Sequence, residues 1–467
     1  MQVKTYDTDD ALNRKDFGAL LYGLLRSEFI LADESFVVAL TGGFGAGKSH
    51  FLEMWENEIR SEKNGPLVVH VNAWESDHSG EPVLAIVSAI SIQMAKSKSK
   101  PQKAITTLKS AASRVARGGM SLAKDMAIGY LETKTGVELD AALGAIKEDH
   151  DNNHLGKSAL TVFDHHEARS EAIRDLKKSL KSLVADSEEL RIIVVVDELD
   201  RCRPTYAIDF LESLKHLFNI KGLAVLLAVD WVQLSCTAEA LFGTNLNTTE
   251  YFRKFVTRKV ALPEPGIHEL NKLIRKLWDR LVHSDTLVKR KRFTYAPNIG
   301  NLGNIPAGII LGSGVTRPRQ VEEIFRILSH YLYTDLDQSG MIDESTFMLI
   351  LVVLSLNTVT PTLFDQIADG SASIEQRLDC VLKITRPKIM GLDWNTVYIE
   401  GRFIDAFVDR HSAEEFKTRF LQTLTEEDLK YRKDRRSGMP DFSTSWPESE
   451  MQLLAIKLRS LKRFSDG

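Results

Sequence analysis

Short runs of consecutive apolar residues alternate, through the first half of the chain, with stretches whose apolar residues recur every three or four positions. The runs are Phe36 to Leu40, Leu67 to Val71 with His70 inside it, Arg191 to Val196 with its apolar residues from Ile192 on, and Leu223 to Val229. Near-continuous apolarity over so short a span predicts strands buried on both faces, as in a parallel sheet. Before and between them the spacing predicts helices over Asp16 to Leu31, Lys48 to Arg60 and Pro82 to Met94, the last opening on proline. Parallel neighbours need crossover connections, so this alternation calls for an α/β fold with helices on both faces of the sheet.

From Lys96 to Glu189 no strand signal occurs, and charges recur at nearly every helical turn, so residues 98 to 188 read as a helical insertion. Its polar stretch Glu148 to His154 reads as a loop, followed by a helix from Glu167 to Leu183. A boundary is expected near Pro263-Glu264-Pro265, after which the pattern is mainly helical. This gives a core over residues 1–265, a helical region over 266–335 and a helical C-terminal domain over 336–467.

The turn after the first strand, Gly42-Gly43-Phe44-Gly45-Ala46-Gly47-Lys48-Ser49, satisfies G-x-x-x-x-G-K-[ST]. It stands where that motif has meaning, between a buried strand and a helix. Glycines let the backbone curl so that successive N–H groups face phosphate oxygens, and the helix N-terminus adds free donors. Lys48 is then expected to reach the β and γ phosphates and Ser49 to ligate Mg²⁺, with His50 following at the rim. The third run ends in Asp197-Glu198. Asp197 is placed to hold the metal's water shell and Glu198 to polarise an attacking water. Asp230, closing the fourth run, reads either as a sensor of the γ phosphate or as the N-cap of the next helix.

Four features then coincide: Asp10-Ala-Leu-Asn-Arg14 with Phe17-Gly-Ala-Leu20, the glycine-rich turn, Asn72-Ala73-Trp74-Glu75, and Asp197-Glu-Leu-Asp-Arg-Cys-Arg-Pro204. Together, over about residues 8 to 330, they resemble the KAP family of P-loop NTPases. The resemblance implies the P-loop class with an additional strand between the two motifs, a fifth strand near Lys259 to Leu262, and ATP with Mg²⁺ as cofactors. It implies Arg317 or Arg319 near the nucleotide, in a lid region beginning at Thr316-Arg317-Pro318-Arg319, although Thr316 departs from the family's asparagine. Trp74 becomes a sheet-to-helix packing residue, and Asp200 and Arg201 contact either the metal shell or a neighbouring subunit. Arg201, Arg203 and Arg253 are the candidates for an arginine supplied to another copy. Several bacterial members are linked to phage exclusion, so a homo-oligomer or a protein partner in a defence complex is expected. The transmembrane helices many members carry between the motifs are not expected here, because charge at that density is costly in a bilayer.

Composition narrows the remainder. With 60 Lys and Arg against 64 Asp and Glu, no global basic field argues for nucleic acid. Contacts to DNA or RNA would have to use Lys289 to Arg292 or Lys430 to Arg436, which read as solvated loops. His150, His154, His165 and His166 lie in Asp/Asn-rich surroundings without cysteine and read as loop histidines rather than a zinc site. Cys202, Cys236 and Cys380 form no disulfide framework, which suits a reducing, cytoplasmic interior. No apolar stretch follows Lys4, so no secretory signal is expected, and the longest apolar run, Phe347 to Leu354, is far short of the roughly 20 residues that span a bilayer.

Overall fold

The computed structural model of the protein describes residues 3–96, 106–110, most of 171–184, 190–282, 305–334 and 344–385, with a few isolated positions beyond. The interior of the insertion, its four histidines and both basic runs lie outside these residues. The chain divides into two compact units, Met1–Asp10 with Arg14–Pro263, and Ala11–Asn13 with Glu264–Gly467.

The first unit is built on β1 (Phe36–Thr41), β2 (Leu67–Asn72), β3 (Ile192–Asp197), β4 (Leu223–Val229) and β5 (Arg258–Ala261). They form one parallel sheet in the order β2-β3-β4-β1-β5, so β4 is the additional strand expected between the two motif strands. The three central strands are buried along their whole length, while β2 and β5 at the edges carry exposed positions. That is why the central three are the ones written as unbroken apolar runs.

Around the sheet stand α1 (Tyr6–Asp9), α2 (Lys15–Leu31), α3 (Lys48–Ser61), α4 (Ala73–Ser76), α5 (Pro82–Lys96), α6 (Pro204–Leu217), α7 (Trp231–Phe242) and α8 (Thr248–Arg253). Alternate strand residues feed two cores. Val37, Ala39, Val194, Val196, Val225 and Leu227 face α5, α6 and α7. Val38, Leu40, Ile193, Val195, Ala224 and Leu226 face α2 and α3. The described ends of the insertion are helical and add Leu108, Leu176, Leu180 and Val184 to the first of these layers.

The described residues of the second unit are helical: α9 (Ile267–Val282), α10 (Ile305–Gly312), α11 (Pro318–Thr334), α12 (Glu344–Val359), α13 (Pro361–Ala368) and α14 (Ile374–Thr385). Leu349 to Leu354 of α12 are all buried in one core with Trp278, Leu328 and Phe364, so the longest apolar run is a central core helix. Among the described residues no helix is long and apolar enough to cross a membrane.

One pair in the first unit is buried against its chemistry. Asp209 and Glu212 lie on one face of α6, each 7% exposed. Burial, then the Asp209 charge, pushes the Glu212 carboxyl from its ordinary 4.5 up to about 7. The folded state therefore favours the protonated form, and ionising it costs stability as pH rises from 4.5 through about 7. Glu212→Gln is expected to match the parent near the lower end of that window and to exceed it by about 3 kcal/mol above it. Urea unfolding at about pH 5 and about pH 8 measures the gap, and a gap that does not widen with pH contradicts the assignment.

Candidate active site

The cradle grows out of the C-terminal end of β1. Gly45 and Gly47 adopt φ of 78° and 84°, a left-handed geometry that strains any residue with a Cβ. Gly47 caps α3 without a side chain, so the first-turn amides of that helix and the positive end of its dipole face the loop. Lys48 lies along the loop, its Nζ donating to the Gly42 carbonyl at 2.7 Å. Ser49 is exposed at the first turn of α3, and the His50 ring meets the Asp9 carbonyl at 3.2 Å through Nε2.

Sheet register sets the other residues level with this turn. Thr41 pairs with Val229, Ala228 with Asp197, and Asp197 with Asn72. The row at the C-terminal sheet edge therefore reads Asn72, Asp197, Asp230 and the phosphate-type turn, each at the end of its own strand. Ligands of open α/β sheets bind at this edge. Asp230 is the N-cap of α7, its Oδ1 accepting from the Val232 and Gln233 amides at 3.1 and 3.5 Å, while its Oδ2 accepts from the Phe44 amide of the turn at 3.1 Å. Its own amide donates to Asp200 Oδ2 at 3.2 Å, so Asp200 braces Asp230. Asp230→Ala removes a cap and a tether, and about 1 to 2 kcal/mol of stability is expected to go with them. Chemical denaturation measures this, and an unchanged midpoint contradicts it.

Asp197 is buried, and its Oδ1 accepts the Glu198 amide at 2.8 Å. Glu198 has a φ of 63°, one of two left-handed non-glycine residues among those described, and such strain persists where surrounding contacts hold it. Two do so here: Asn72 Nδ2 donates to Oε2 at 3.2 Å, and Arg201 pairs with Oε1 at 2.8 Å. Asn72 also caps α4 through the Glu75 amide at 3.1 Å. The family resemblance marks Asn72, but its contact with Glu198 spans 126 positions and has no local signal.

Trp74 is not the sheet-packing residue expected. It is 54% exposed, and the Arg201 guanidinium stacks 5.9 Å from its ring and 5.6 Å from the ring of Phe44. The reason lies in α4, whose first turn follows directly on β2 and buries Ala73 instead. Arg203 is bound to Asp77, through the main-chain amide and Nε at 3.0 and 2.9 Å and through Nη2 to the Asp77 carbonyl. Arg253 is exposed on α8. Arg317 and Arg319 belong to the second unit, both exposed at the start of α11, where Gln320 Oε1 accepts the Thr316 and Arg317 amides.

The donor set suits a nucleotide and Mg²⁺. Burial, then the nearby charges of Asp77, Asp200 and Glu198, pushes the Cys202 thiol up to about 12, so this cysteine is inert. Among the described residues no group of three or more His, Cys, Asp or Glu forms a ready metal cage. Mg²⁺ needs none, since it uses one or two carboxylates with phosphate oxygens and water. Ser49 and Asp197 are the residues that would hold it.

No curated protein matches the chain. The model of the KAP family P-loop domain matches residues 19–464, well past residue 330, where the quoted motifs end, and starting after the Asp10–Arg14 segment. With a parallel five-stranded sheet, a phosphate-type turn after β1 and a carboxylate pair after β3, the chain belongs to the KAP family of P-loop domains.

Proposed function

We propose that the protein binds ATP with Mg²⁺ and hydrolyses it, and that its nucleotide state controls self-assembly or the binding of a protein partner, in anti-phage defence in the cytoplasm. The observation that carries the catalytic part is the level row at the sheet edge, which gathers the turn of residues 42–49, Asp197, Glu198 and Asp230 by strand register. Bound Mg²⁺ supplies charge neutralisation between phosphate oxygens. The amides of Gly43 to Ser49 and Lys48 hold the phosphates, and Glu198 takes the proton of the attacking water. Arg317 and Arg319 are assigned to the lid. Family membership supports nucleotide binding and hydrolysis, and the exposed Phe44–Arg201–Trp74 stack supports a surface that changes when the turn is filled.

Phosphate release from MgATP tests the chemistry. Particle size with a non-hydrolysable ATP analogue, and without it, tests assembly. Turnover at background with intact nucleotide affinity overturns the hydrolytic reading, and an unchanged particle size overturns self-assembly.

A further inference from the structure

The sequence Asp10-Ala11-Leu12-Asn13-Arg14 stands outside the stretch matched by the family model and has no part in the chemistry above. Its fold is specific. The Asp10 carboxylate accepts the Arg14 amide at 2.8 and 2.7 Å and the Lys15 amide at 3.0 Å, so it serves the free first-turn donors of α2. Asn13 takes the left-handed conformation, φ 54°. The Arg14 side chain is then turned inward, 3% exposed, and donates to three main-chain carbonyls: Gly47 at 3.2 Å, Ala46 at 2.9 Å and Pro263 at 3.1 Å.

Two of these carbonyls are the last peptides of the glycine-rich turn, and the third is the last residue of the first unit. Residues 11–13, immediately before Arg14, group with the second unit, as does the chain from Glu264 onward. Arg14 thus sits beside both places where the chain crosses from one unit to the other. A buried guanidinium bears a desolvation cost, seen in a pKa lowered by burial to about 10 against the opposing pull of Asp10. Its fork of donors, fixed in geometry, offsets that cost only while all three carbonyls stay in place. The His50 ring on the Asp9 carbonyl holds the same segment from α3.

We infer that Arg14 is a positioning residue that pre-organises the phosphate-binding turn and couples its order to the peptide at Pro263, so that nucleotide binding is felt at the crossing into the second unit. This rests on the ATP-binding reading and adds to it a route by which binding is transmitted.

The test is hydrogen exchange on the full chain, with a non-hydrolysable ATP analogue and Mg²⁺, in the parent and in Arg14→Lys. That variant keeps charge and most of the volume but replaces the fork with one ammonium. In the parent, nucleotide is expected to slow exchange both in peptides covering residues 40–52 and in those covering 261–270. In Arg14→Lys at saturating analogue, the first protection persists and the second is lost. Affinity falls about tenfold, and the loss falls on KM more than on kcat, as expected when pre-organisation is removed.

Should Arg14→Lys unfold, Asp10→Ala frees the Arg14 main chain, so that the guanidinium is no longer aimed at its three carbonyls, and is expected to show the same split. Protection over 261–270 that survives in the variants, or that is missing from a parent protected over 40–52, overturns the inference and leaves ATP binding standing. A parent with no protection over 40–52 overturns both.

Discussion

Glu198→Gln is expected to lower phosphate release from MgATP by about a hundredfold to a thousandfold while leaving nucleotide affinity within a factor of about three. The side chain stands at the end of β3, one residue past buried Asp197, with its carboxylate held by Asn72 and Arg201. Glutamine keeps the size of the group, and its Oε1 still accepts from Asn72, but it cannot take a proton from water. In the proposed reading the phosphates are held by residues 43–49, whereas the Glu198 carboxylate is held by Asn72 and Arg201, so binding should survive. Single-turnover phosphate release beside a fluorescent-nucleotide titration separates the two quantities. A turnover within about threefold of the parent removes Glu198 from the role of base. The backbone supplies a control: at φ 63°, Glu198→Gly removes the carboxylate but relieves the strain. Glycine should therefore be as inactive as glutamine yet no less stable, an outcome that a purely structural role for this side chain does not produce.

Trp55→Ala is expected to remove about 3 to 5 kcal/mol from the stability of the first unit, a large share of the about 5 to 15 kcal/mol a domain holds. Trp55 is 1% exposed and lies on α3, the helix that begins at Lys48, and its indole Nε1 donates to the Gly18 carbonyl at 3.0 Å. The ring packs so closely on α2 that a Cβ built on Gly18 would stand 3.1 Å from Trp55 Cδ1 and 2.3 Å from Tyr6 Oη. No neighbour can close the space without moving a helix, so both transfer and cavity terms apply. The helix carrying Lys48 and Ser49 loses its anchor at the same time, and nucleotide affinity should weaken with stability. Denaturant titration of the intact chain, followed by a signal from the first unit, reads the loss. A loss under about 1 kcal/mol would show that α2 and α3 are not held through this contact.

The fold was legible where apolarity is local. Four of the five strands were visible as apolar runs, and their boundaries moved by only a residue or so, because a buried strand leaves little room for other residues; β5, largely exposed, came only from the family resemblance. The phosphate-type turn was equally legible, since its glycines answer a backbone requirement met within eight positions. Asp230 shows the limit: its capping of α7 could be read from the next few residues, but its bond to the Phe44 amide could not, because 186 positions separate the two. Trp74 misled for a related reason. An aromatic residue after a strand reads as core, and only the turn of α4 and the position of Arg201 bring it outward.

By itself, then, the sequence determined the strand–helix alternation, the phosphate-type turn and the acidic pair, each set by chemistry between near neighbours. Only the tertiary structure decided that β2 and β5 take the two edges of the sheet, that Asn72 and Arg201 hold Glu198, and that Arg14 reaches both the end of the turn and Pro263. The physical reason is the same in each case. Strand order and side-chain partners across a sheet edge depend on which distant segments pack together, and periodicity along the chain holds no record of that choice.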